Sequence, residues 1–273
     1  MCHHCVVESV KERMLNRRDL FRGAAAVTAA ATVGAAVSAT PAVAAAVGKP
    51  VDMTHELHEK FPTFFGEQTF FSEQKFNYKE HKFNLFEIRL NEHTGTHLDA
   101  PLHFSENGQS VAEVPIENLV APLAIIDIRE KAAASADAQV TPDDIKAWIS
   151  KNGPLPERCC VAMNSGWDTR VSGEEFRNVG ADEKMHFPGF HIEATKMLIE
   201  EASVVGMAVD TLSLDYGLSA DFATHYEWLP TNRWGLECTA NLSQLPAAGA
   251  TIFVGAPKHR GGSGGPSRVM ALV

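Results

Sequence analysis

The sequence predicts a mixed α/β domain, and three observations carry that prediction. Apolar runs of strand length recur along the chain, bounded by Gly, Pro, Asn or Asp. Two longer stretches place apolar residues at helical spacing. Strands outnumber helices, and the helices lie between them. With 273 residues, 45% of them apolar, the chain can bury a full core.

Taken in order, Val51–Leu57 (VDMTHEL) opens the domain as a strand. Phe83–Leu90 (FNLFEIRL) alternates in part and reads as a second strand. Pro122–Arg129 (PLAIIDIR) is a buried strand. TPDDIKAWIS starts a helix, with Thr141 as N-cap and Pro142 at the first helical position. RCCVAMNSG is a buried strand that runs into a turn, and His191–Ala202 (HIEATKMLIEEA) is a helix. SVVGMAVD and ATIFVGAP complete the strands. No repeat and no long linker interrupts residues 50–273, so one domain over 45–273 is the simplest organisation.

The first 44 residues read as a separate object. Arg17 and Arg18 precede an Ala/Val/Thr/Gly run, and Ala42–Ala44 (AVA) offers a small-x-small cleavage site. The pattern resembles a twin-arginine export signal and predicts a periplasmic or extracellular protein. The run is too weakly apolar for a stable membrane anchor. Cys2 and Cys5 (CHHC) look like metal ligands but would be lost with the signal. Cys159, Cys160 and Cys238 remain, and a disulfide between the adjacent pair would be strained. A formal charge of −10 argues against a nucleic-acid partner.

The chemistry concentrates in His93–Phe104, HTGTHLDAPLHF. Three histidines and an aspartate share odd numbers, so a strand would set them on one face. A straight strand still fails, because His93 and His97 would lie about 13 Å apart at Cα, whereas ligands converge to about 2 Å from one ion. A helix would suit His93 and His97, but Pro101 opposes it and Asp99 would point away. The chain must therefore bend, and Gly95 is the natural pivot. At this density the residues read as metal ligands, with a structural role for each histidine as the plain alternative. Imidazole and carboxylate donors suit Zn²⁺ or Mn²⁺.

HTGTHLDAPLHF resembles the signature of the cyclase family, which includes bacterial kynurenine formamidases and isatin hydrolases. VDMTHEL, NSGWD (Asn164–Asp168), FPGFHIEATKMLIE (Phe187–Glu200), VDTLSLD (Val209–Asp215) and GGSGGPSRVMAL (Gly261–Leu272) look like further family landmarks in family order. The resemblance implies a swivelling β/β/α fold and a homodimer or higher oligomer. It implies His93, His97 and Asp99 as metal ligands and His103 as the catalytic histidine. It adds His225 and Glu237, twelve positions apart, for a second ion, with Asp99 and Glu237 bridging; one or two ions are expected. The implied activity is hydrolysis of an amide carbon–nitrogen bond, nominally that of N-formylkynurenine. The alternatives are opening of a cyclic amide or lactone, and metal binding without catalysis. Kynurenine formamidases resemble WPGD near the start, where this chain has FFGE; Phe64 is the matching aromatic candidate for substrate contact. Trp167 is a second candidate, and Trp228, Trp234 and Tyr226 are further aromatics for a pocket. Arg268 is either a carboxylate binder or one half of a surface ion pair.

Overall fold

The apolar runs near 120–127, 160–164 and 206–209 become three neighbouring parallel strands at the centre of a nine-stranded sheet. A computed structural model describes residues 48–201 and 203–273. The Arg17–Arg18 pair, the cleavage site at Ala42–Ala44 and the Cys2/Cys5 pair lie outside the described residues.

The strands are β1 (Pro50–Asp52), β2 (Phe70–Phe76), β3 (Leu85–Leu90), β4 (His97–Asp99), β5 (Val120–Asp127), β6 (Gln139–Val140), β7 (Cys160–Asn164), β8 (Gly189–Phe190), β9 (Gly206–Val209), β10 (Trp234–Glu237), β11 (Ala250–Gly255), β12 (Gly264–Pro266) and β13 (Arg268–Leu272). The helices are α1 (Tyr78–His81), α2 (Arg129–Ala134), α3 (Pro142–Asn152), α4 (Ile192–Glu200) and α5 (Ala223–Trp228). The main sheet runs β1-β13-β11-β5-β7-β9-β10-β4-β12. Its centre, β5 to β10, is parallel, and both flanks are antiparallel.

The central strands read as continuous apolar runs because both faces are covered. Ile126, Val161, Met163, Met207 and Val209 point to one side, where Ile145 and Trp148 of α3 and Leu198 of α4 meet them. Leu123, Ile125, Cys160, Ala162 and Ala208 point to the other side, against Leu98, Leu236, Ile252 and Val269 from the flanking strands. Adjacent Cys159 and Cys160 thus enter different cores, and both are free thiols. The α3 start is as predicted: Asp144 accepts from the Thr141 backbone N–H at 2.7 Å, and Pro142 opens the helix. The strand expected over Val51–Leu57 is only Pro50–Asp52. Beyond it Thr54 leaves the ladder and exchanges bonds with Val269, its Oγ1 donating to the carbonyl and accepting from the N–H.

Residues 72–88 form a small compact unit of their own, with most of β2 and β3 and helix α1; residues 48–71 and 89–273 form the other. In the small unit Leu85, Phe86 and Ile88 are exposed. Among the described residues no helix is long and apolar enough to cross a membrane.

Candidate metal centre

Strand pairing builds the centre. His97 and Asp99 lie on β4, and β10 pairs with it so that Glu237 stands opposite His97 and Gly235 opposite Asp99. His93 arrives from the preceding turn, where Gly95 takes a left-handed φ of 68°. That turn achieves what a straight strand cannot, and the rings of His93 and His97 come within 5.2 Å. His103 follows in the 3₁₀ turn Pro101–Phe104, its ring stacked on His93 at 3.7 Å. His225 comes from α5.

The polar atoms converge. Asp99 Oδ1 lies 2.6 Å from His93 Nδ1 and 3.3 Å from His97 Nε2. Glu237 Oε2 lies 3.4 Å from His97 Nε2, and its Oε1 lies 3.1 Å from His225 Nε2. Asp99 Oδ2 is 3.6 Å from His225 Nε2. Ligand atoms of His97, Asp99 and Glu237 lie within 4.8 Å of one another, as do those of His93, Asp99 and His103. The five residues expected to hold metal and the histidine expected to catalyse are therefore one cluster.

Whether a cation fits can be judged from bonding left unmade. Buried polar atoms are nearly always paired. Among the described residues four buried side-chain N or O atoms lack a hydrogen-bond partner, and two of them are His97 Nε2 and Asp99 Oδ2. The orphaned His97 nitrogen is the one facing the carboxylates, while its Nδ1–H is spent on the Gly95 carbonyl at 2.8 Å. His225 is held likewise: its Nδ1 meets Asp215 Oδ2 at 2.6 Å and its Nε2 faces the cluster. Two buried carboxylates ringed by imidazole nitrogens fit a divalent cation.

Protonation follows the same crowding. Burial works against a charged His97, yet the Asp99 and Glu237 carboxylates hold its pKa up to about 9. Burial likewise opposes a charged His225, and Asp215, Asp99 and Glu237 overcome it and raise its pKa well above the ordinary value. Asp99 is held well below the carboxylate range, against its burial, by the surrounding histidines. Burial and the neighbouring Asp99 charge push Glu237 up. His103 goes the other way: burial, with His93, His225 and His97 around it, brings it down to about 4. Burial, with Glu237 and Asp99 nearby, raises the Cys238 thiol well above its ordinary value.

A cavity of about 350 Å³ opens over the cluster, lined by Phe64, Phe65, Phe104, Leu212 and Phe222 as well as by His93, His97, His103, His225 and Glu237. Phe64, the aromatic candidate for substrate contact, lines this cavity with its ring 5.7 Å from Phe222. Trp167 does not. It is buried among Phe61, Phe176 and Phe187, and its ring N–H donates to the Phe176 carbonyl at 2.9 Å. Trp228 and Trp234 are also core residues. Tyr226 is exposed, its ring edge-on to Phe104 at 4.9 Å, and it is not among the residues that line the cavity. Arg268 pairs with Asp52 at 2.7 Å on the surface. Sequence reasoning gave no role to Phe104, Phe222 or Asp215, although Phe104 and Asp215 lie inside quoted landmarks. Asp215 acts on His225 from ten residues away through the loop before α5, and no spacing rule signals that.

A family model named Cyclase, described as "Putative cyclase", matches residues 51–216. The chain belongs to the cyclase family. This cyclase is 34% identical to isatin hydrolase of Roseibium aggregatum over 67% of its own length and 73% of the relative's. It is 28% identical to kynurenine formamidase of Salinibacter ruber, over 71% and 82% of the two chains. Among solved structures, isatin hydrolase A from Labrenzia aggregata bound to benzyl benzoate superposes with a TM-score of 0.77 at 37% identity, covering 82% of the cyclase and 93% of that chain. The swivelling α/β fold expected from the sequence is the fold observed.

Proposed function

We propose that this cyclase is a metal-assisted hydrolase that opens an amide carbon–nitrogen bond on a flat, uncharged aromatic substrate. A cyclic aryl amide of the isatin type stands ahead of N-formylkynurenine. The observation that carries this reading is the cavity: aromatic rings line it, and no lysine or arginine does among the described residues. N-formylkynurenine bears an ammonium and a carboxylate, and burying either without a counter-charge is costly. The one arginine considered for a substrate carboxylate, Arg268, is engaged by Asp52. The 34% and 37% identities to isatin hydrolases support the same order. It reverses the order read from sequence, where the formamide stood first.

His93, His97, Asp99, His225 and Glu237 would hold one or two divalent ions, Zn²⁺ or Mn²⁺. Such an ion, when bound, polarises a carbonyl and lowers the pKa of water to about 7. Phe64, Phe104 and Phe222 hold the aromatic ring of the substrate and exclude bulk water. His103 is neutral at physiological pH and accepts the proton of the attacking water. As the water oxygen bonds to the carbonyl carbon and the carbon–nitrogen bond breaks, His103 returns that proton to the departing nitrogen. The product is an amine and a carboxylic acid, which releases its own proton to solvent to become the carboxylate, the two joined in one molecule when the substrate is cyclic.

The test is turnover by protein loaded with Zn²⁺ or Mn²⁺, with isatin, N-formylkynurenine and an aryl lactone compared. A higher kcat/KM for isatin is expected. Preference for N-formylkynurenine would restore the sequence-based order. Metal bound without turnover of any of them would leave a metal-binding protein. We also infer a homodimer or higher oligomer: successive strand residues point to opposite faces, and Leu85 and Phe86 are 46% and 55% exposed. Light scattering that gives a monomer would refute this.

A further inference from the structure

We propose that Ser263 and Glu92 are positioning residues for His93: they commit its Nε2 to carrying a proton and leave Nδ1 as the nitrogen it offers to a metal. His97 and His225 are arranged the opposite way, with Nε2 toward the cluster. The inference rests on the metal-site reading above and extends it to residues that no ligand pattern includes.

Donor counting gives the direction. Ser263 Oγ lies 2.6 Å from Glu92 Oε2, and the Ser263 backbone N–H donates to the same oxygen at 3.0 Å. A hydroxyl has one proton to give. With that proton on the Glu92 carboxylate, Ser263 Oγ can only accept from His93 Nε2, 2.9 Å away. His93 Nε2 therefore carries hydrogen. Its Nδ1 points at Asp99 Oδ1, 2.6 Å away. With hydrogen on Nε2, Nδ1 is the ring nitrogen that faces Asp99 and that a metal ion bound there would use.

The fold holds this arrangement from three sides. The Ser263 carbonyl accepts from the Ala100 N–H at 2.9 Å, and Gly264 pairs with Asp99 across β12 and β4. A Cβ at Gly264 would come 2.8 Å from His93 Cε1 and 2.4 Å from the Leu98 carbonyl oxygen. No larger residue fits there with the ring in place, which accounts for a glycine beside Ser263 in GGSGG. Behind Glu92, the Nε2 of the half-exposed His259 hydrogen-bonds to Oε1. The other Glu92 oxygen, Oε2, is thereby turned toward Ser263.

Nitrogen-15 NMR of histidine-labelled protein, with His93 assigned by its absence in His93→Gln, reads the proton directly. An Nε2–H signal is expected for His93 both without metal and with zinc, and zinc should shift Nδ1. A proton on Nδ1 with a bare Nε2 overturns the proposal. Ser263→Ala should weaken zinc binding by roughly 10–100-fold in chelator competition, as removal of a partner behind a ligating histidine does. Glu92→Ala should weaken it less, because the Ser263 oxygen remains but its proton is freed. Unchanged zinc affinity in Ser263→Ala, with an unchanged unfolding midpoint, also overturns the proposal. Wild-type protein that takes up no zinc or manganese strikes instead at the metal reading, and the Nε2–H signal of metal-free protein still decides the role of Ser263.

Discussion

Glu237 stands directly across the β4–β10 pair from His97, with its Oε2 3.4 Å from His97 Nε2. Strand register thus brings a residue 140 positions downstream into the HTGTHLDAPLHF cluster, and both side chains are buried. That pair decides how the metal centre responds to substitution. His97→Ala removes one of few donors and should strip most of the bound metal. Glu237→Gln keeps size and removes charge, so occupancy should fall toward one ion per chain if two bind to wild type. Elemental analysis of both variants checks this; full metal content in His97→Ala would end the ligand assignment.

The same crowding sets a pH dependence for the metal-free protein. His97 is raised from the ordinary 6.5 to about 9, so the stability it contributes is full below about 6.5 and is lost as pH rises through 9. His225, raised for the same reason, adds to that loss at high pH. Asp99 and Asp215 are lowered, so their contribution is present above about 3.8 and is lost as pH falls through their folded-state values. The unfolding midpoint of metal-free protein should therefore fall from about pH 6.5 to 9.5. Ligating histidines must be deprotonated, so metal binding should release protons and tighten with rising pH over the same upper range. Thermal melts with and without metal, together with proton release on titration, measure both effects. A metal-free midpoint that rises from pH 6.5 to 9.5 would contradict the assigned shifts.

Asp215 is the support behind His225. Its carboxylate accepts from His225 Nδ1 at 2.6 Å, from the His225 and Thr224 backbone N–H groups at 3.1 and 2.8 Å, and from Ser219 Oγ at 3.1 Å. Asp215→Ala strands several buried donors and should cost roughly 3 kcal/mol or more. Asp215→Asn keeps an acceptor for Nδ1–H, so it should fold better while metal affinity still drops, by about 10-fold. Denaturant unfolding and chelator competition separate the two effects. Wild-type metal affinity in Asp215→Ala would show that His225 needs no such partner.

Export is tested at the N-terminus. Replacing Arg17 and Arg18 with Lys should hold the precursor in the cytoplasm, as a twin-arginine signal requires. Fractionation that finds the variant outside at normal levels would remove the export reading. The site chemistry would be untouched.

What was legible in the sequence divides along physical lines. β5, β7 and β9 were visible because burial on both faces leaves unbroken apolar runs. The α3 start was visible because Thr141, Pro142 and Asp144 are local signals. β4 and β10 were not: three and four residues are too few for a period, and His97, Asp99 and Glu237 are polar residues held inside by the site itself. The His93–His103 cluster could be read because its members are close in sequence. Ser263 lies 170 residues from His93, and Asp215 carries no motif of its own, so their roles exist only once the strands have paired. Trp167 was misjudged because a tryptophan in a landmark suits a core as well as a pocket, and Phe176 supplies the acceptor its ring needs to be buried.

His103 is the sharpest test of catalysis. Its ring stacks on His93, lines the cavity and is held neutral down to about pH 4. A neutral imidazole can accept a proton from water, whereas a protonated one cannot. Its atoms also lie within ligand range of His93 and Asp99, so metal binding and proton transfer compete as explanations. His103→Ala separates them. We expect the variant to fold, to keep its metal and to lose roughly 10²–10⁴-fold in kcat. The loss should be larger for amides than for activated esters, because an amine anion leaves badly without a proton and a phenolate does not. Metal content and turnover on both substrate types should be measured on one preparation. Loss of metal would make His103 a ligand, and full amide activity would remove it from the mechanism.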